Sequence, residues 1–295
     1  MAAITAGMVK TLRERTGAAM MDCKRALEAT AGDIDAAAEK MRMEGQAKAD
    51  KKATRIAAEG TVMIAGDADA AVLVEVNCET DFVAKNDDFL AFADAAAKLA
   101  LAHRPADVDT LLALEDGGET LDVRRRNLVA KLGENISLRR FERVDAAGGG
   151  LAWYLHGGRI GVMVSLSAGD AELAKDLAMH VAASRPQYVN ADAVPAKAIE
   201  AERKIIEGQI VEQAAGKPPE IVTKMVDGKL RKFLAEITLS GQPFVKYPDQ
   251  TVEKLLNSKS AAVSRFVRFE VGEGIEKKQG DFAAEVMAQA KASMG

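Results

Sequence analysis

The sequence predicts an α+β protein: a small three-helix bundle followed by two related subdomains, each with a three-stranded antiparallel sheet and helices. Three observations predict it. The first fifty residues place apolar side chains at helical spacing in three short runs. After a Lys- and Ala-rich linker, Gln46 to Arg55, the order strand, strand, helix, helix, strand occurs twice. The second copy alone contains two long amphipathic segments joined by Gly216-Lys217-Pro218-Pro219, which reads as an inserted antiparallel helical hairpin.

In the bundle, Ile4, Met8 and Leu12 share a helical face and Thr16-Gly17 stops the first helix. Asp22 to Leu27 forms the second, broken at Gly32-Asp33. Ile34, Ala37, Ala38 and Met41 line the third, which is expected to end near Gly45, with the linker beyond it helical or flexible.

Copy one opens with strands Thr61–Ala65 and Val72–Cys78 around the turn Gly66-Asp67-Ala68-Asp69; Val72, Val74 and Val76 fall on one face by period-two alternation. An Ala-rich helix ends at His103-Arg104-Pro105. A second helix covers roughly Asp122 to Leu132, and a third strand runs from Ile136 to Val144 with Arg140-Phe141-Glu142. Copy two follows the spacer Ala146 to Gly150. Its strands are Ala152–Leu155 and Ile160–Leu166 around Gly157-Gly158-Arg159. Its helix ends at Ser184-Arg185-Pro186, and a helix at Thr251–Leu256 leads to a strand with Arg268-Phe269-Glu270-Val271.

The copies differ in two places. Copy two holds the hairpin, with Ile199, Ile206 and Ile210 on one arm and Val222, Val226, Leu230, Phe233 and Ile237 on the other. Arms of about 18 residues would project roughly 27 Å, so the hairpin is expected to touch something beyond its own sheet. Copy one holds the second difference. Ser167-Ala168-Gly169 joins strand to helix in copy two, whereas copy one uses Glu79-Thr80-Asp81-Phe82-Val83-Ala84-Lys85-Asn86, with two sizeable apolar side chains on a connection. The tail, Gly280-Asp281 and FAAEVMAQAKA, reads as a short helix with Asp281 at its N-cap.

Composition narrows the function. A chain of 295 residues with 48% hydrophobic content can bury a core in two or three domains. A net charge of −4 with intermixed signs argues against nucleic acid as the main partner. Two cysteines, Cys23 and Cys78, give no disulfide framework and fit a reducing compartment. No apolar run approaches bilayer length, and MAAITAGMVKTLRERTG lacks a signal-peptide core. A cytoplasmic protein without membrane association is expected.

Four groups of residues stand out. Thr80-Asp81-Phe82-Val83 is the strongest: either it presents a contact tip, or Asp81 caps a turn and Phe82 staples the next helix. Met20 and Met21, after Gly17-Ala18-Ala19, form either an adaptable contact surface or part of the bundle core. His103, His156 and His180 show no metal-ligand spacing; His180 reads as a satisfied core residue, while His156 at a hairpin turn allows partner contact. The glycine clusters at 148–150 and 272–274 match neither dinucleotide nor P-loop fingerprints. No nucleophile–base or metal constellation assembles, so neither an enzyme nor a cofactor is expected.

The segment LRERTGAAMMDCKRAL with Gly32-Asp33, then TDFVAKN, HGGRIGVMV, MHVAASRP and RFEVGEGIEK in this order, resembles the elongation factor Ts family over essentially the whole chain. The resemblance implies a UBA-like N-terminal domain over 1–54 and a core subdomain over 55–144. It also implies a second core subdomain over 145–279 with a coiled-coil insertion at about 194–237, and a C-terminal helical module over 280–295. It implies a guanine nucleotide exchange factor for translation elongation, acting on elongation factor Tu with GDP bound and remaining on its nucleotide-free form. Thr80, Asp81, Phe82 and Val83 would then dislodge Mg²⁺ from the partner, and Arg13, Met20, Met21 and His156 would bind it. A different class, a ribosome- or RNA-associated adaptor, is the alternative; it would show a strongly salt-dependent RNA affinity.

Overall fold

The computed structural model describes residues 4–276; the helix expected at Asp281 lies outside them. Three helices open the chain, α1 (Ala6–Thr16), α2 (Met20–Ala29) and α3 (Ile34–Lys52). The Thr5 hydroxyl caps α1 by accepting the Met8 N–H, and Gly17 ends it at φ 66°, a left-handed conformation that suits a residue without Cβ. Asp33 caps α3 through the Ala36 N–H. Val9, Leu12, Cys23, Ala26, Leu27 and Ala37 close a small core between the three.

The first sheet has the order β1-β2-β5, from β1 (Glu59–Gly66), β2 (Ala70–Cys78) and β5 (Ser137–Asp145), all antiparallel. Between β2 and β5 run α4 (Asp81–Ala84), α5 (Asp87–His103), α6 (Val108–Ala113), a minimal hairpin of β3 (Glu115–Asp116) and β4 (Glu119–Thr120), and α7 (Leu121–Leu132). The second sheet repeats the plan with β6 (Leu151–His156) and β7 (Ile160–Ala168). Helix α8 (Ala171–Ser184) follows, and later α12 (Val252–Ser258) leads to β10 (Ala262–Glu270) on the far side of β7. The helix after each second strand stops in the same way: Arg104 and Arg185 sit at φ 52° and 51°, and each precedes a proline. Two copies with one strand order and one helix stop are the internal repeat read from the sequence.

Within copy two, a 3₁₀ turn (Ala191–Ala193) leads to α9 (Ala196–Gln209), α10 (Val211–Ala214) and α11 (Pro219–Ile237), then to the small hairpin of β8 (Pro243–Phe244) and β9 (Tyr247–Thr251). Ile206, Ile210, Val226 and Leu230 are buried between α9 and α11 in a cluster of their own.

Two features depart from the sequence reading. Helix α3 does not stop near Gly45 but continues to Lys52. The Lys- and Ala-rich stretch favours helix, and Ala49 packs into the core of the first copy. A Cβ at Gly45 would lie 3.2 Å from that of Ala130 on α7, so its bare backbone gives close helix packing instead of a stop. The linker is thus helical almost throughout. The second departure concerns β2. Alternation placed Val72, Val74 and Val76 on one face, and they do pack on α5, yet every residue of β2 is buried. Its other face meets the second sheet. Val62, Ala71, Leu73 and Val144 pack against Met163, Phe269 and Val271, so the sheets lie back to back between two helical layers. Gly161 on β7 permits the approach; a Cβ there would fall 2.5 Å from Leu73 and 2.7 Å from Val62.

One charge is sealed between strands. Glu75 on β2 is fully buried and accepts from Arg139 (3.0 Å), Arg140 (2.6 Å), Asn77 (3.1 Å) and the Gly272 N–H (2.8 Å). Burial works against its charge, but the Gly272 N–H and the Arg140, Asn77 and Arg139 side chains outweigh it and hold the carboxyl below its usual range.

Candidate functional site

The connection after β2 is a single helical turn. Thr80 is its N-cap: the hydroxyl accepts the Val83 N–H at 3.4 Å. Lys85 closes α4, and Asn86 immediately caps α5 by accepting from Asp88 and Phe89. Two caps six residues apart leave room for one turn, and that turn fixes where each side chain goes. Val83 faces inward, 9% exposed, and joins the core with Phe89 and Phe92. Phe82 faces out and is 82% exposed, the highest value among the exposed large apolar side chains of the described residues. Asp81 is also exposed, with Lys85 Nζ at 2.9 Å from its carboxylate. That pair is solvent-facing and worth little.

The packing alternative for Phe82 therefore does not hold, and the capping assigned to Asp81 belongs to Thr80. The four residues 80–83 are close in space but do different work: Thr80 and Val83 hold the turn, and Asp81 and Phe82 are presented by it.

The sequence reading missed what braces this turn. Glu134, between α7 and β5, accepts the N–H groups of Glu79 and Thr80, each at 3.0 Å, and the Thr80 hydroxyl at 2.6 Å. In return Glu79 accepts the Asn135 N–H at 2.7 Å. Buried Asn135 donates to the Arg55 carbonyl at 2.8 Å, which ties in the chain leaving α3. The repeat held a signal for this. The matching turn of copy two, Lys259-Ser260-Ala261, has no acid, and copy two has no extra helical turn to brace. Nearby Cys78 is buried, and burial, with the Glu134, Glu59 and Asp81 charges adding, pushes its thiol up to about 12.

Met20 and Met21, at the start of α2, are 57% and 64% exposed and stand outside the bundle core. Arg13 is exposed on α1, and its guanidinium makes no ion pair among the described residues. His156 ends β6, exposed, with its Nδ1 2.9 Å from the Tyr154 hydroxyl. The adjoining Gly158 carbonyl accepts the Val62 N–H at 2.7 Å and the Thr61 hydroxyl at 3.1 Å, which fastens this turn to β1. His180 is the satisfied core histidine the sequence suggested. It is fully buried, with Nδ1 accepting the Val245 N–H and Nε2 2.9 Å from Gln242 Oε1; burial lowers its pKa and the Gln242 bond partly opposes this. Among the described residues no group of His, Cys, Asp and Glu is placed to hold a metal ion, and no helix is long and apolar enough to cross a membrane.

What the turn after β2 offers chemically is a pair of exposed side chains. It presents an exposed aromatic ring with a carboxylate beside it, on a turn held by the Thr80 cap and the Glu134 bonds. The family model for elongation factor TS matches residues 79–273. Elongation factor Ts of Methylococcus capsulatus is 60% identical over 293 residues, covering 98% of this chain and 99% of that protein. The elongation factor Ts proteins of Thioalkalivibrio sulfidiphilus and Legionella pneumophila (strain Paris) are 59% and 54% identical, covering 98% and 99% of this chain. The chain belongs to the elongation factor Ts family.

Proposed function

We propose that this protein is a guanine nucleotide exchange factor of translation elongation that binds elongation factor Tu and opens its nucleotide site through Asp81 and Phe82. The observation that carries the reading is the 82% exposure of Phe82 on a turn anchored by Thr80 and Val83. Phe82 enters between helices of the GTPase domain. Asp81 brings negative charge to the water and side-chain network around Mg²⁺. A GTPase holds GDP through phosphate contacts and that bridging cation, so loss of the ion leaves the phosphates poorly neutralised and GDP departs. By linkage, a factor that weakens GDP binding is itself weakened by GDP to the same degree. It therefore holds the nucleotide-free partner more tightly than the GDP form.

One ring is not enough. Burying a phenylalanine supplies about 1.5–3 kcal/mol, or roughly ten- to hundredfold in an equilibrium at about 1.4 kcal/mol per factor of ten. Contacts elsewhere hold the opened state. Arg13, Met20 and Met21 on a UBA-like domain over 1–54, and His156 in the subdomain over 145–279, supply them, with the hairpin at about 194–237 and the module over 280–295 adding reach. The subdomain over 55–144 carries the tip. The factor acts in the cytoplasm on a protein partner, without a chemical step, a metal or a nucleic acid of its own.

The test mixes the protein with elongation factor Tu carrying fluorescent GDP and follows the loss of signal. Accelerated release is expected. A release rate equal to that of Tu alone would overturn the reading.

A further inference from the structure

Between the end of β2 and the start of α4, the backbone N–H groups of Glu79 and Thr80 point away from any strand or helix partner. They are satisfied by one side chain from a distant part of the chain. We propose that Glu134 is a positioning residue for exchange, setting the direction in which Phe82 and Asp81 leave the surface; the inference rests on the contact role proposed for those two.

The geometry is a three-point hold. Both carboxylate oxygens of Glu134 are engaged, Oε2 by two backbone N–H groups at 3.0 Å and Oε1 by the Thr80 hydroxyl at 2.6 Å. Hydrogen bonds to an ionised acceptor are among the stronger ones. The same hydroxyl caps α4, so Glu134 orients the cap and the cap orients the turn. The support is itself stiff. Gly133 ends α7 at φ 80°. Asn135 is buried and bonded to the backbone leaving α3, and Ile136 is fully buried. Glu79 answers from the other side by accepting the Asn135 N–H at 2.7 Å. Two carboxylates thus cross between the two turns, Glu134 bonding the backbone of Glu79 and Thr80 and Glu79 bonding that of Asn135. Val83, with part-buried Ala84 beside it, anchors the tip from below, and two small apolar side chains on one edge fix its depth more than its rotation. The second copy lacks both the extra turn and the acid, which pairs the two features on structural grounds.

The experiment uses the full chain and Tu carrying fluorescent GDP, with factor concentration varied to separate the saturating release rate from the half-saturating concentration. Glu134→Ala is expected to lower the saturating rate about tenfold, as a misplaced contact group does, with a half-saturating concentration within about twofold of the parent because the other contacts are untouched. A merely destabilised chain would instead lower the active fraction and leave the saturating rate alone. Glu134→Gln should restore most of the rate, since its amide oxygen still accepts both N–H groups. Glu134→Ala should add little to Phe82→Ala in the double variant. If Glu134→Ala does not fold, Thr80→Val is read in its place, with a fall of about threefold expected from the lost hydroxyl bonds. A normal saturating rate in Glu134→Ala (or in Thr80→Val) beside a slow Phe82→Ala would overturn the positioning role alone. Full additivity in the double variant would do the same. A normal rate in Phe82→Ala would sink the contact role and this inference with it.

Discussion

Phe82→Ala separates fold from function more cleanly than any other substitution. With 82% of the residue exposed and Val83 supplying the anchor beneath it, the ring contributes almost nothing to the core. Its removal should change unfolding free energy by less than about 0.5 kcal/mol, the range for surface positions away from special contacts. The loss falls on the complex. Nearly the whole ring is available for transfer into a partner, which is worth about 1.5–3 kcal/mol. If the ring is buried mainly in the opened state, that energy appears in the saturating rate of GDP release, a reduction of roughly ten- to hundredfold, while the half-saturating concentration moves less. Stopped-flow release of fluorescent GDP from Tu, over a series of factor concentrations, reads both quantities, and a thermal melt checks the fold. An unchanged saturating rate would refute the wedge. An equal loss in rate and melting temperature would show that the ring supports its own subdomain after all.

Met20→Ala and Met21→Ala, at exposed positions, should weaken association with Tu, measured by calorimetry, without lowering the melting temperature; intact affinity would remove them from the docking surface. Stability should fall with acid in two stages. His180 stays neutral when folded, so its contribution is complete above the unfolded value of about 6.5 and declines as pH drops below it. Glu75, held low by Gly272, Arg140, Asn77 and Arg139, contributes fully above about 4.3 and is lost as pH falls through its folded value. Urea melts from pH 8 to 3 test this, and Glu75→Gln should remove the lower stage while costing about 2 kcal/mol near neutrality. Neither cysteine should react with a thiol reagent at pH 8 in the native protein, because both are buried and Cys78 is held protonated; rapid labelling would contradict that packing.

Periodicity carries a reader a long way into this fold. Repeated strand pairs, the two Arg-Pro helix stops and the spacing of Ile206, Ile210, Val226 and Leu230 are local signals, and the elements they predict are present. Elements of two to six residues, α6, the β3–β4 pair and the β8–β9 pair, are too short to show a period and were not legible. The burial of β2 on both faces was hidden as well. Alternating valines announce one apolar face, and only the back-to-back sheets reveal that Leu73 and Ala71 serve another. At the turn after β2 the sequence singled out Thr80, Asp81, Phe82 and Val83 together, because the second copy does without them. It could not tell that Val83 points inward, since one helical turn sends neighbours in opposite directions. Glu134 escaped because two of its three partner atoms are backbone N–H groups more than fifty residues away in sequence, which leave no mark in side-chain patterning.

The apolar layer shared by the two sheets has a mechanical meaning. A probe that pushes into another molecule must be backed by something that does not yield. Met163, Phe269 and Val271 pack behind the sheet that bears the Asp81–Phe82 turn, and dense interiors transmit strain with little compression. If the Asp81–Phe82 turn presses into a partner as proposed, grip taken by the second half of the molecule would reach the first half as thrust, the two repeated pieces serving as handle and blade of one tool.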